Sequence, residues 1–226
     1  MVPKKSTWSL MLPYGNQKVY IVLNVTMLMQ KEIHGSKKLK KTVLIELNEA
    51  YSKVMQWFFS FPNMEMSLNG ISEELSISKT TAHKAVTRLV DEGFLIKKVL
   101  GRIWRISCNQ AHPYTFSRKI GYNLINIYEA GILEEIHRRI QNPRAVILFG
   151  SYRKGDDTEK SDIDIAVEVL DDEEMQIFDL GAIPQFGYRK DVLIHLHVFS
   201  RNKIDLNLFS NIANGIVLEG FLEVKP

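Results

Sequence analysis

The chain has 226 residues, 45% of them hydrophobic and 24% charged, with a formal net charge of +3 at neutral pH. That length accommodates two domains, and no stretch approaches the roughly 18 uncharged apolar residues of a membrane span, which argues against a membrane protein. The lone Cys108 rules out an internal disulfide and suits a reducing cytoplasm.

Residues 1–45 read as a β-rich extension. Trp8 to Leu12 is apolar but short, and Pro13, Gly15 and Lys18 follow it, so it is not read as a signal peptide. Val19 to Met29 is rich in β-formers and predicts a strand or hairpin. His34 to Lys41 is a Gly, Ser and Lys-rich loop. The charge is uneven along the chain. Residues 1–110 hold 16 Lys and Arg against 8 Asp and Glu, whereas residues 111–226 hold 13 against 18. A basic half suits nucleic acid and an acidic half suits a metal.

Residues 46–110 carry the pattern of a small helical domain with a hairpin. Leu44 to Phe61 has helical spacing and ends at Pro62. Ser67 caps a short helix bearing Leu68, Ile71 and Leu75. After a turn at Ser76-Ile77, Ser78 caps a second helix that runs to about Asp91 and stops at Gly93. Ala82, Ala85, Val86 and Leu89 form its apolar stripe. Its other face holds Lys79, Thr80, Thr81, Lys84 and Arg88. Phe94 to Val99 and Arg102 to Ser107 read as two strands joined at Leu100-Gly101, whose Lys97, Lys98, Arg102 and Arg105 would make a basic wing. This segment resembles the winged helix-turn-helix transcription factors. The resemblance implies DNA as a partner, with the second helix in the major groove and the basic hairpin on phosphates.

Residues 111–142 read as connecting helices. Asn109 to Tyr114, with Pro113, marks a boundary. Ile120, Leu124, Ile127, Ile132, Leu133 and Ile136 then recur at helical spacing, broken near Gly131.

Residues 143–226 hold the richest motif. Ala145 to Phe149 reads as a buried strand. Gly150-Ser151-Tyr152-Arg153-Lys154-Gly155 follows as a polar turn, and Ser161-Asp162-Ile163-Asp164-Ile165 opens a second strand. Side chains alternate along a strand, so Asp162 and Asp164 point the same way. Two adjacent carboxylates repel unless a cation lies between them, and Mg²⁺ with phosphate oxygens fits. Gly150 lets the backbone approach a phosphate closely. A helix is expected near Asp172 to Ala182, a third strand over Val192 to Ser200, and a last helix near Leu206 to Gly215.

Gly150, Ser151, Gly155, Ser161, Asp162 and Asp164 resemble the signature of the DNA polymerase beta-like nucleotidyltransferases, in particular the minimal ones of archaea and bacteria. The resemblance implies an α+β protein: an N-terminal winged helix-turn-helix followed by a mixed α/β transferase domain. It implies NTP as substrate, Mg²⁺ or Mn²⁺ held by Asp162 and Asp164, and phosphates near Gly150, Ser151, Arg153, Gly155 and Ser161. It also implies a HEPN-domain protein as partner, and winged-helix proteins often form homodimers. The family carries a third carboxylate on a later strand. Here His195 stands at that place, with His197 beside it. His195 is therefore the third candidate catalytic residue, and the expected transferase is weak or inactive. The alternative is a transcriptional regulator whose degenerate transferase fold senses a nucleotide or mediates protein contacts.

Overall fold

A computed structural model of the chain describes residues 9–14, 17–22, 49–170 and 174–224. The chain divides into two compact units, residues 1–46 and 47–226. In the first, β1 (Ser9–Tyr14) and β2 (Gln17–Val22) pair antiparallel, from Ser9 opposite Val22 to Tyr14 opposite Gln17. The rest of the expected strand to Met29 and the loop His34 to Lys41 lie outside the described residues.

The second unit begins with α1 (Glu49–Ser60), a helix whose Tyr51, Val54, Trp57, Phe58 and Phe59 are all buried. A short strand β3 (Glu65–Met66) leads into α2 (Leu68–Glu74) and α3 (Lys79–Asp91). Both expected caps form. The Ser67 hydroxyl accepts from the Gly70 amide at 3.0 Å and the Ser78 hydroxyl from the Thr81 amide at 3.1 Å, satisfying donors that a helix start leaves bare. The hairpin of β4 (Leu95–Leu100) and β5 (Ile103–Cys108) completes a sheet of order β3-β5-β4. Ala82, Val86 and Leu89 of α3 pack with Ile71, Phe94 and Ile106 into one core.

Then come α4 (Tyr114–Ser117), α5 (Lys119–Glu129) and α6 (Ile132–Arg139). The expected break falls at Gly131, whose φ of +69° is the left-handed conformation that glycine adopts most readily. A five-stranded sheet follows, in the order β10-β6-β7-β9-β8. Its members are β6 (Ala145–Phe149), β7 (Ile163–Val169), β8 (Gln176–Phe186), β9 (Arg189–Ser200) and β10 (Ile216–Gly220). β7 and β9 run parallel and the other neighbours antiparallel. β6 is buried at every residue, because core clusters cover both of its faces; such strands read as unbroken apolar runs. The helix α7 (Gly150–Lys154) lies between β6 and β7, and α8 (Leu206–Ala213) precedes β10.

The helix expected near Asp172 to Ala182 is not formed: from Gln176 onward this stretch is strand β8, paired along β9. Its acidic start imitates a helix N-terminus. Ile177, Phe178 and Ile183 are β-formers, Gly181 weakens a helix, and the edge position tolerates Pro184. Cross-strand pairing outweighs the local signal. The strand β10, which begins on Ile216-Val217-Leu218, is additional to the expected elements.

Two polar clusters stitch this unit together. Lys119 of α5 lies 3.2 Å from Asp157, with side chains 2% and 4% exposed. Asn123 donates to the same carboxylate at 2.8 Å and to the Tyr152 carbonyl at 3.1 Å. Burial pushes the Asp157 carboxyl above its ordinary range, against the opposing pull of Lys119 and Asn123. At the other end of the sheet, the buried Glu168 accepts from Arg201 at 3.0 Å, and both Arg201 and Arg144 reach Glu223.

Candidate active site

The parallel register of β7 and β9 sets Asp164 opposite His195. Residues opposite each other share a face of the sheet. His195 Nε2 lies 3.3 Å from Asp162 Oδ2, and His197 Nε2 lies 3.4 Å from Asp164 Oδ1. Two aspartates of β7 and its approach thus meet two histidines of β9 on one face. Asp162, Asp164 and His195 keep side-chain exposures of 41%, 32% and 31%, so all three remain open to a ligand. His197 is more enclosed: its ring meets Phe149 edge-on at 4.9 Å, and neither ring nitrogen has a hydrogen-bond partner.

Gly150 sits directly over Asp164. A Cβ on Gly150 would collide with the Asp164 carboxylate, and its φ of +70° is itself left-handed. Glycine here lets the start of α7 approach the acid, as the turn motif requires. Ser151 is half-buried on α7, followed by the buried Tyr152.

The remaining residues of the motif lie on α7 and in the loop that leads into β7. Gly155 ends α7 at φ +79° and packs against the Thr115 carbonyl. The Ser161 hydroxyl accepts from the Thr158 amide at 2.9 Å, and its carbonyl accepts from Arg189 at 2.8 Å. Arg153 and Lys154 line a separate hollow with Phe116, Ile120 and Asp156. A cavity of about 650 Å³ opens at the edge of β8 and β9, lined by Arg139, Phe178, Leu196 and Val198. Leu196 faces the core on the sheet side opposite His195. Asp179 borders both this cavity and the cluster.

Asp179 is the site residue that sequence reasoning missed. It accepts from or shares a proton with His195 Nδ1 at 2.8 Å. Burial alone would lower the His195 pKa, but the Asp162 and Asp179 carboxylates outweigh it and hold the imidazole above its ordinary value. No local pattern marked Asp179, because its stretch read as a helix.

The donor set fits a divalent cation. Asp162 and Asp164 offer hard oxygens on one face, under a glycine that leaves room above them. Among the described residues no three His, Cys, Asp or Glu side chains form a ready-made cage. Asp162 and Asp164 would be the two residues to hold such an ion.

The residues read as a DNA-binding face fall on α3 and the β4–β5 hairpin. Lys79, Thr80, Lys84, Lys98 and Arg102 are exposed, and Thr81 is half-buried beside its cap. Two are engaged within the chain. Arg88 pairs with Glu92 at 3.1 Å and covers the Tyr51 ring, and Lys97 lies 4.2 Å above the Trp104 ring.

The fold and site define a class, and the comparisons agree. The family described as Polymerase beta, Nucleotidyltransferase matches residues 132–218. Over 80 residues the chain is 34% identical to "Putative protein adenylyltransferase MJ1379" of Methanocaldococcus jannaschii, covering 35% of this chain and 71% of that protein. The chain belongs to the polymerase beta nucleotidyltransferase family. The matched segment runs from α6 to β10 and includes every residue of the Asp162–His195 cluster. Among the described residues, no helix is long and apolar enough to cross a membrane.

Proposed function

We propose that the chain transfers a nucleoside monophosphate from an NTP to an acceptor hydroxyl, with Mg²⁺ or Mn²⁺ at Asp162 and Asp164. The observation that carries this reading is the meeting of Asp162, Asp164 and His195 on one face beside Gly150. When bound, the ion neutralises the phosphates and the leaving pyrophosphate. The carboxylates orient it, and the Gly150-Ser151 backbone approaches the triphosphate. His195 Nε2 takes the proton as the acceptor oxygen bonds to the α-phosphorus, and the bond to pyrophosphate breaks with its electron pair. ATP as donor and a protein hydroxyl as acceptor follow the name of the archaeal relative. A HEPN-domain protein and a second copy of the chain are the first partners to test.

Residues 46–110, on this reading, form a winged helix-turn-helix that binds DNA. The exposed Lys79, Thr80 and Lys84 of α3, with Lys98 and Arg102 of the hairpin, support it. A second reading rests on His195 in place of a third carboxylate: a regulator that senses a nucleotide without turning it over.

The deciding experiment measures pyrophosphate release from each of the four NTPs, with Mg²⁺ or Mn²⁺, alongside calorimetry of nucleotide binding. Metal-dependent release that Asp162→Asn abolishes is the expected result. Binding without release selects the sensor, and neither binding nor release overturns both readings.

A further inference from the structure

Asp179 lies outside the sequence motif, on an edge strand, and is 74% exposed. Its placement depends on an irregularity of β8. From Phe186 opposite Arg189 up to Gly181 opposite Ile194, the register is regular. Continued, it would set Leu180 opposite His195. Instead a bulge intervenes between Asp179 and Gly181, and Asp179 takes that position. The extra residue, Leu180, turns into the core at 7% exposure, and Gly181 absorbs the bend at φ +114°. Bulges of this kind re-aim side chains and recur beside active sites.

The two carboxylates on His195 are not equivalent. Asp179 Oδ1 lies 2.8 Å from Nδ1, whereas Asp162 Oδ2 lies 3.3 Å from Nε2. A neutral imidazole has one N–H to donate, and the partner of one nitrogen decides what the other can do. The shorter contact draws that proton to Nδ1. Nε2 then carries a lone pair beside the Asp162 oxygen, and two acceptors so close converge on a single incoming donor or cation.

We infer that Asp179 is a positioning residue: it holds His195 in the Nδ1–H tautomer, so that Nε2 presents a lone pair to the Asp162–Asp164 cleft. The inference rests on the transferase reading for its consequence, but the tautomer itself does not. Without Asp179, Nε2–H donating to Asp162 becomes the favoured form, and the acceptor capacity of the ring is turned away from the cleft.

The test uses the full chain with isotope-labelled histidine. Long-range proton–nitrogen correlation spectra, taken well above the imidazole titration, report the tautomer of His195; the signal is assigned by its loss in His195→Gln. Wild type is expected in the Nδ1–H form, and Asp179→Ala is expected to move toward Nε2–H. Asp179 is exposed, so the substitution leaves the core intact. A wild type already in the Nε2–H form, or a tautomer unmoved in Asp179→Ala, overturns the inference. A second readout is pyrophosphate release from ATP. The kcat of Asp179→Ala should fall by about 10–100-fold, as for other residues that orient a functional histidine, with KM for ATP unchanged. A raised KM with kcat intact also counts against it. If wild type releases no pyrophosphate, the transferase reading fails, and the spectra alone decide the role of Asp179.

Discussion

At the residue scale, the proposed transfer turns on His195, an imidazole set opposite Asp164. Mg²⁺ prefers hard oxygen ligands, and imidazole suits softer metals. His195→Asp should therefore raise pyrophosphate release most with Mg²⁺, and less with Mn²⁺. Robust wild-type turnover that falls in this variant would instead make the histidine indispensable to the reaction. Cys108 is a side chain whose reactivity its surroundings suppress. Burial pushes its thiol up to about 12, with the charge of Lys119 only partly offsetting the effect. The thiolate is the nucleophile, so native protein near neutral pH should not react with Ellman's reagent, while denatured protein should react at once. Rapid labelling of the native chain would show that this core opens readily.

At the scale of elements, α3 and α5 carry separable expectations. Lys84 is exposed on α3, whereas Arg88 is already committed to Glu92 and Tyr51. If α3 binds DNA, Lys84→Ala should weaken binding and lower the slope of log K against log salt by about 1. Arg88→Ala should perturb stability more than it perturbs that slope. Unchanged DNA affinity in Lys84→Ala, or no DNA binding at low salt, would remove the case for this face. For α5, the decisive contact is Lys119 with Asp157. Removing one member of a buried pair leaves the other charge stranded, at a cost of about 3–5 kcal/mol. Lys119→Met should lower the urea midpoint accordingly. A loss below about 1 kcal/mol would mean that Asp157 takes up a proton or water in its place.

At the scale of the whole molecule, residues 47–226 behave as one compact unit, and particular contacts explain why. Arg118 donates to the Tyr51 hydroxyl at 3.0 Å, the Ser60 and Tyr122 hydroxyls lie 3.1 Å apart, and the Tyr122 and Phe59 rings pack at 5.8 Å. The turn of the β8–β9 hairpin joins them: a Cβ on Gly187 would run into the Tyr122 hydroxyl, and Tyr188 packs on the core of α1 to α3. Urea unfolding of this unit should therefore be a single transition. Fluorescence of Trp57 and Trp104 should coincide with hydrogen exchange of the β6 and β7 amides. Separate midpoints would show two independently stable halves. Gly187→Ala, strained at φ +59°, should lower both signals together.

Much of the site was legible in the chain itself, because its signals are local. The spacing of Asp162 and Asp164, the apolar run before Gly150, the serine caps of α2 and α3 and the break at Gly131 each need only a few neighbouring residues. The place of His195 was also readable, since its strand alternates cleanly. Tertiary structure decided the rest. Gly155 and Ser161 are set in the motif by spacing alone, and the contacts that hold them, with Thr115 and Thr158, form only once the loop packs. β8 carries a helix-like acidic start and becomes a strand because β9 supplies its hydrogen bonds. Asp179 joins the site only through a hairpin and a bulge. Its partner His195 is 16 residues away, and a one-residue change of register decides which side chain faces it.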